Sequence, residues 1–192
     1  MMPMVESVAD VQALDAAVDG RADLIVMIET AASLAAVDEL VLAVPEATFF
    51  VGLNDLHMQL EQRFMFEPVA DGHVERVAQA VGRHGTAFGF GGLARTGRGT
   101  VDSAAIVKEH VRLGSSLAIL SRSFFVGLDD PLDIDEIRRE IAKLRAVENA
   151  ARLRTAAECE NDFVATQHLI RVAAADMTGT GASPANPPRV GR

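Results

Sequence analysis

Apolar residues along this chain form two patterns, short continuous runs and helical repeats, and these alternate from the N-terminus onward. Five continuous runs predict strands, at residues 1–5, 23–29, 48–53, 86–92 and 115–125. The run at 48–53 is too continuous for a half-exposed strand and is typical of a parallel strand that is covered on both faces. Apolar residues at spacings of three and four predict helices between the runs, at residues 7–18, 33–44, 72–83 and 102–113.

Three further stretches lack a strand pattern. Residues 56–68, LHMQLEQRFMFEP, predict a short helix or an ordered loop. Residues 133–177 contain neither Gly nor Pro and open on a D-x-x-E capping box, so one or two helices are predicted there. Residues 178–192 are rich in Gly and Pro and predict a disordered tail.

The order of strands and helices predicts an α/β fold with a parallel sheet, because parallel strands need helical crossovers. A doubly wound open sheet and part of a (β/α) barrel both fit this pattern. Five strands are fewer than the eight of a closed barrel. The segments divide into a β/α domain at 1–128, a helical extension at 129–177 and a tail at 178–192.

Composition restricts the classes of function. The chain has 192 residues, 49% of them apolar, and a net charge of −9 without a Lys/Arg-rich block, so we expect no nucleic-acid partner. No apolar run reaches the ~20 residues of a membrane span, and no leader pattern is present, so we expect a cytoplasmic protein without membrane attachment. The single Cys159 excludes an internal disulfide and a thiolate zinc site.

Two predicted strands end on acidic residues, Glu29 and Asp55. Equivalent ends of parallel strands lie side by side, so these carboxylates could bind Mg²⁺ or Mn²⁺ together with water and a substrate oxygen. Each acid also precedes a predicted helix, where a carboxylate is favoured as an N-cap. The spacing alone leaves both interpretations open.

Other residues near these strand ends are weaker candidates for substrate binding. Gly52 would let a ligand approach the backbone closely, and the amides from Gly52 through Asn54 could bind a carboxylate. Arg122 could pair with an anionic substrate group or with acids of the C-terminal helix. His57 could act as an acid or base or simply face solvent. The glycine-rich segment before Arg95 and Arg98 is a candidate anion site, but it fits a nucleotide fingerprint poorly. The same two arginines are weak candidates for substrate contacts. No residue is assigned as catalytic.

Two of these segments resemble the metal-site motifs of the HpcH/HpaI-type aldolase and citrate lyase β-subunit family, which has a phosphoenolpyruvate/pyruvate-type barrel. The segments are MIET at 27–30 and VGLNDL at 51–56, and MPMV at 2–5 resembles the preceding strand. The resemblance covers about residues 1–125. It implies a partial (β/α) barrel of TIM type with about five β/α units, corresponding to the C-terminal part of the family fold.

The same resemblance implies a metal-dependent carbon–carbon lyase. Glu29 and Asp55 would bind Mg²⁺ or Mn²⁺, and the substrate would be a 2-oxo acid or an acyl-CoA cleaved through a metal-stabilised enolate. Backbone amides near Gly52, Asn54 and Asp55 would bind the substrate carboxylate, and the chain would form a homo-oligomer. Arg122 is a candidate substrate contact from its position in the sequence and not from the resemblance. The family's upstream arginine and histidine have no counterpart here, and Met27 stands where the pyruvate aldolases have a glutamine. The alternative is therefore a non-catalytic half-barrel that acts as an assembly or metal-binding module.

Overall fold

The computed structural model describes residues 1–126 and 133–177, which contain a three-stranded parallel sheet. Its strands are β1 (Ile25–Ile28), β2 (Thr48–Gly52) and β3 (Phe88–Gly91), and they lie in that order. Ile28 pairs with Val51, which in turn pairs with Phe90. Almost every strand residue is buried, because helices and loops cover both faces of the sheet.

Nine α-helices occur in the described residues, and they confirm the predicted helical segments with small shifts of their ends. They are α1 (Val8–Val18), α2 (Ala31–Ala35), α3 (Val37–Ala43), α4 (Leu53–Gln59), α5 (Glu67–Ala70), α6 (His73–Gly82), α7 (Ser103–Arg112), α8 (Ile134–Ala151) and α9 (Ala156–Asp176). The predicted helix at 33–44 is divided into α2 and α3, and the ambiguous stretch at 56–68 overlaps parts of α4 and α5. Two helices occupy residues 133–177, within the predicted range of one or two.

One hydrophobic core joins the sheet to the C-terminal helices. Helix α6 packs on β2 and β3, whereas α7 packs on α8 and α9. Phe49 and Phe90 of the sheet, Leu144 of α8 and Ile170 of α9 all belong to the same buried cluster. The long C-terminal helices therefore cover the β/α segment directly.

The predicted partial (β/α) barrel of TIM type with about five β/α units is wrong. Within the described residues the sheet is open and only three strands wide, and the first and fifth predicted strands contribute isolated bridges at its two edges. Met2 forms such a bridge to Val26. The chain then leaves the extended conformation at Met4, whose φ of 51° is incompatible with a continuing strand.

The fifth predicted strand, residues 115–125, pairs with its neighbour at two points only. Leu117 bridges to Gly89 and Leu120 bridges to Leu93, after which residues Arg122–Phe124 form a short 3₁₀ helix. This turn places Phe124 in the core, where it is fully buried. The remaining residues of 115–125 are exposed or partly exposed, so the apolar run that predicted a strand here does not correspond to a buried one.

No helix in residues 1–126 or 133–177 is long and apolar enough to cross a membrane. The predicted tail at 178–192 lies outside the described residues.

Candidate metal site

The ends of β1 and β2 bring Glu29 beside Gly52. Because Ile28 pairs with Val51, the next residues of the two strands come level with each other. A Cβ atom placed on Gly52 would lie 2.5 Å from Oε2 of Glu29 and 3.0 Å from its Cβ. The missing side chain at Gly52 therefore provides the space that the Glu29 carboxylate occupies.

Glu29 is held in this position by the N-terminal segment. Its side chain is almost completely buried, at 4% exposure, and its Oε1 accepts a 2.8 Å hydrogen bond from the backbone N–H of Met4. The next residue, Thr30, donates its hydroxyl to the carbonyl oxygen of Val5 at 2.7 Å. The left-handed backbone of Met4 thus directs its N–H at the Glu29 carboxylate. The bond between Thr30 and Val5 fixes the residues that follow Glu29 and Met4 against each other.

The second oxygen of Glu29, Oε2, accepts no hydrogen bond from the described residues, and it is not among the fully buried unpartnered atoms, so it stays in reach of solvent. Burial raises the pKa of Glu29 above that of an ordinary glutamate, the Met4 amide opposes this rise, and the negative charge of Asp55 adds to it. A buried carboxylate with a free oxygen and a second carboxylate nearby is an environment that a divalent cation would stabilise.

Asp55 lies in the first turn of α4 and is half-buried. Its negative charge is the smallest of the three causes that set the pKa of Glu29. Neither acid is a helix N-cap. Thr30 caps α2 through a reciprocal pair of bonds with Ser33, and Gly52 occupies the cap position of α4 without a side-chain bond.

The donor set fits a hard cation that needs few protein ligands. Mg²⁺ is typically bound by one or two carboxylates, with waters and substrate oxygens completing its octahedron. Glu29 and Asp55 supply that number. No group of three or more His, Cys, Asp or Glu side chains suited to a metal occurs in the described parts of the chain, so any metal bound here relies on the pair.

The residues predicted around the pair are only partly assembled. Gly52 is buried next to Glu29, whereas Asn54 is exposed on the first turn of α4. The Nδ1 atom of His57 lies 3.1 Å from the carbonyl oxygen of Leu53, so this ring is engaged with its own helix.

The three predicted arginines do not surround the pair. Arg95 is buried and bonds to the carbonyl of Phe124 and to the carboxylate of Glu136, both at 2.7 Å, whereas its Nη2 is buried without a partner among the described residues. Arg98 and Arg122 are exposed and form no ion pair with the described residues. Arg122 follows residues 117–120, which lie beside β3 at the edge of the sheet opposite β1. Three strand spacings of ~4.8 Å separate this edge segment from β1, which is roughly 14 Å.

Sequence reasoning did not identify the contribution of Met4 or Met27. Met4 supplies the amide that binds Glu29, and a side chain on Gly52 would come within 3.0 Å of the Met27 methyl group. The only sequence signal for the Met4 contact was the resemblance of MPMV at 2–5 to a family strand. A backbone donor carries no side-chain signature, so its use could not be deduced from residue type.

Comparison with known proteins gives information on the fold alone. No family model matches the chain, and no curated protein matches it. The crystal structure of RipC from Yersinia pestis is similar to it, with a TM-score of 0.52 and 21% sequence identity over 82% of this chain. The chain spans 64% of the length of RipC.

Proposed function

We propose that Glu29 and Asp55 bind Mg²⁺ or Mn²⁺, and that the chain uses this site for carbon–carbon cleavage of a 2-oxo acid or an acyl-CoA. One observation carries the metal site: Glu29 is buried with its Oε2 free of hydrogen bonds, next to the charge of Asp55. The reaction class rests on the resemblance of the two acidic motifs to the aldolase and citrate lyase β-subunit family.

Each residue has a distinct role in this proposal. The Met4 amide fixes Oε1 of Glu29, which leaves Oε2 as the atom that would bind the cation. The absence of a side chain on Gly52 leaves room for the Glu29 carboxylate, and half-buried Asp55 completes the protein ligands from α4. When bound, a divalent metal would act as a Lewis acid toward the carbonyl group next to the bond that is broken.

Metal binding is tested by calorimetry with Mn²⁺ on the wild type, Glu29→Gln and Asp55→Asn. Both variants remove one carboxylate charge with little change of shape, so each should lower the Mn²⁺ affinity at least tenfold. Asp23→Asn is the matched control, because it makes the same chemical change at an exposed position ahead of β1. Equal affinity in all four proteins, or no binding by the wild type, would contradict the metal site.

Catalysis is tested separately with a 4-hydroxy-2-oxo acid and with a hydroxyacyl-CoA thioester. Aldol cleavage breaks the bond between the carbon bearing the hydroxyl group and its neighbour, transfers the hydroxyl proton away, and protonates the second fragment. Release of pyruvate or of the shortened thioester that depends on Mn²⁺ and is lost in Glu29→Gln supports a lyase. Mn²⁺ binding without release of either product refutes it for these substrates.

A non-catalytic metal-binding module is the second candidate, and the surroundings of the pair favour it. Among the described residues, the side chains suited to proton transfer or anion binding are engaged or distant: His57 with Leu53, Arg95 with Glu136, and Arg122 at the far edge of the sheet. In this case Mn²⁺ binding would raise the melting temperature without producing turnover. The small-molecule substrate and the homo-oligomer remain predictions.

A further inference from the structure

The first five residues of the chain form an N-terminal strap at the outer edge of β1. The N–H of Met2 donates to the carbonyl oxygen of Ile25 at 2.8 Å, and the carbonyl oxygen of Met2 accepts a 3.1 Å bond from the N–H of Met27. The pairing does not continue beyond this point, because Met2 forms only an isolated bridge to the sheet. The strap therefore needs further contacts to stay in place.

Buried side chains hold only part of the strap. Val5 is fully buried in the core and Met2 packs partly against it, whereas the side chains of Met1 and Met4 are 60% and 50% exposed. Between Met2 and Val5, the strap is joined to the sheet by the 2.8 Å bond from the Met4 N–H to Oε1 of Glu29. The middle of the strap thus depends on the carboxylate of the candidate metal site.

Met4 forms this bond from a backbone conformation that its own side chain opposes. Its φ of 51° lies in the left-handed region, where the Cβ of an L-residue comes too close to the following carbonyl oxygen. The strap therefore closes at a local cost, which its bond to Glu29 helps to offset. We expect a segment held in this way to open and close while the sheet stays folded.

The closed strap and a cation would act on the same carboxylate without excluding each other. The Met4 N–H occupies Oε1 of Glu29, which leaves Oε2 for a cation shared with Asp55. Both interactions favour the ionised form of Glu29, and both need its carboxylate in one orientation, which an open strap would no longer fix. Two partners that stabilise the same state of a protein raise each other's affinity by the same factor.

We propose that the N-terminal strap is coupled to metal binding: closure through the Met4 amide holds Glu29 in its cation-binding position, and a divalent cation bound by Glu29 and Asp55 holds the strap closed. This inference rests on the metal site proposed above and adds a conformational change outside the ligands. It gives residues 1–5 control over the metal affinity.

Amide hydrogen exchange of the wild type with and without Mg²⁺ tests the coupling. Saturating Mg²⁺ should slow the exchange of the Met4 N–H by about tenfold or more, because the strap opens less often. The N–H of Ser121, bonded to the carbonyl oxygen of Leu93 at the opposite edge of the sheet, is the reference and should keep its rate. In Asp55→Asn, which keeps the Met4 bond but removes a metal ligand, the same Mg²⁺ concentration should not slow Met4.

Met4→Pro and Met4→Gly test the effect of the strap on the metal. Both variants lose the exposed Met4 side chain and keep both carboxylates. Proline has no N–H and its φ of about −65° cannot match the left-handed backbone, so the strap cannot close over Glu29 and the Mn²⁺ affinity should fall about tenfold or more in calorimetry. Glycine keeps the N–H and adopts this backbone without strain, so its affinity should equal or exceed that of the wild type.

An unchanged Met4 exchange rate at saturating Mg²⁺, or wild-type Mn²⁺ affinity in Met4→Pro, would overturn the coupling. The metal site itself would survive either result if Glu29→Gln and Asp55→Asn still weaken binding. An equal loss of affinity in Met4→Gly and Met4→Pro would also overturn the coupling, because the side chain of Met4 and not its backbone would then be responsible. Absence of metal binding by the wild type refutes the coupling and the metal site together. The exchange measurement on the wild type decides the question should Met4→Pro fail to fold.

Discussion

Gly52→Ala should disable the candidate metal site through a single added methyl group. The new Cβ would lie 2.5 Å from Oε2 of Glu29, whereas an ordinary contact begins at 3.4 Å, so the oxygen must move by about 0.9 Å. Rotation of the carboxylate alone cannot relieve the overlap, because the Cβ of Glu29 is also within 3.0 Å and Oε1 is held by the Met4 amide.

This displacement is large compared with the tolerance of metal coordination, which is about 0.2 Å. We expect Gly52→Ala to weaken Mn²⁺ binding about 10- to 100-fold, the range seen when residues that orient ligands are changed. Overpacking at a buried position should also lower the free energy of unfolding by about 1–3 kcal/mol. Calorimetry and urea denaturation measure these two quantities.

Gly82→Ala is the matched control for the added methyl group. Gly82 ends α6, and a Cβ placed there meets no atom within 4 Å. This substitution should leave Mn²⁺ affinity unchanged and raise the free energy of unfolding by up to about 1 kcal/mol, because alanine is favoured over glycine in a helix.

A double-mutant cycle identifies the contact responsible. In a Glu29→Ala background the clashing oxygen is absent, so the stability cost of Gly52→Ala should be smaller by about 1 kcal/mol or more. Wild-type stability together with wild-type Mn²⁺ affinity in Gly52→Ala would refute the geometry described here. An equal cost of Gly52→Ala in both backgrounds would show that Glu29 is not the residue it displaces.

Two further predictions concern the folded state. Because burial lowers the pKa of His110 from 6.5 to about 3, the unfolded chain binds the proton first as pH falls, and stability is lost below pH 6.5. Between pH 7 and pH 5 the wild type should lose about 2 kcal/mol more than His110→Phe in urea denaturation, and parallel pH curves would contradict this. Arg95→Met should lower the free energy of unfolding by about 2–3 kcal/mol, since it leaves the Phe124 carbonyl and the Glu136 carboxylate without their bonds. The exposed Arg98→Met is its control, and a similar loss in both variants would show that the buried bonds are not responsible.

The elements of this fold were predictable wherever a local pattern determines them. The D-x-x-E pattern at residue 133 correctly predicted the start of α8, where Asp133 accepts a hydrogen bond from the backbone N–H of Glu136, because this contact depends on residues three positions apart. The three inner strands were identified for the same reason, since a continuous apolar run is visible in the sequence. The width of the sheet could not be predicted in this way. Whether residues 115–125 pair fully with β3 depends on how Phe124 reaches the core.

The sequence by itself determined that acids follow β1 and β2, whereas the strand register that brings Glu29 level with Gly52 is seen only in the structure. Only the tertiary structure excluded the helix-cap interpretation, because Thr30 takes the cap position of α2 and Gly52 that of α4, while the Met4 amide, 25 residues away, binds one oxygen of Glu29. The burial of His110 has the same origin. Its ring stacks on Phe90 of β3 and lies 2.8 Å from the hydroxyl of Ser115, and periodicity along the chain does not reveal such contacts.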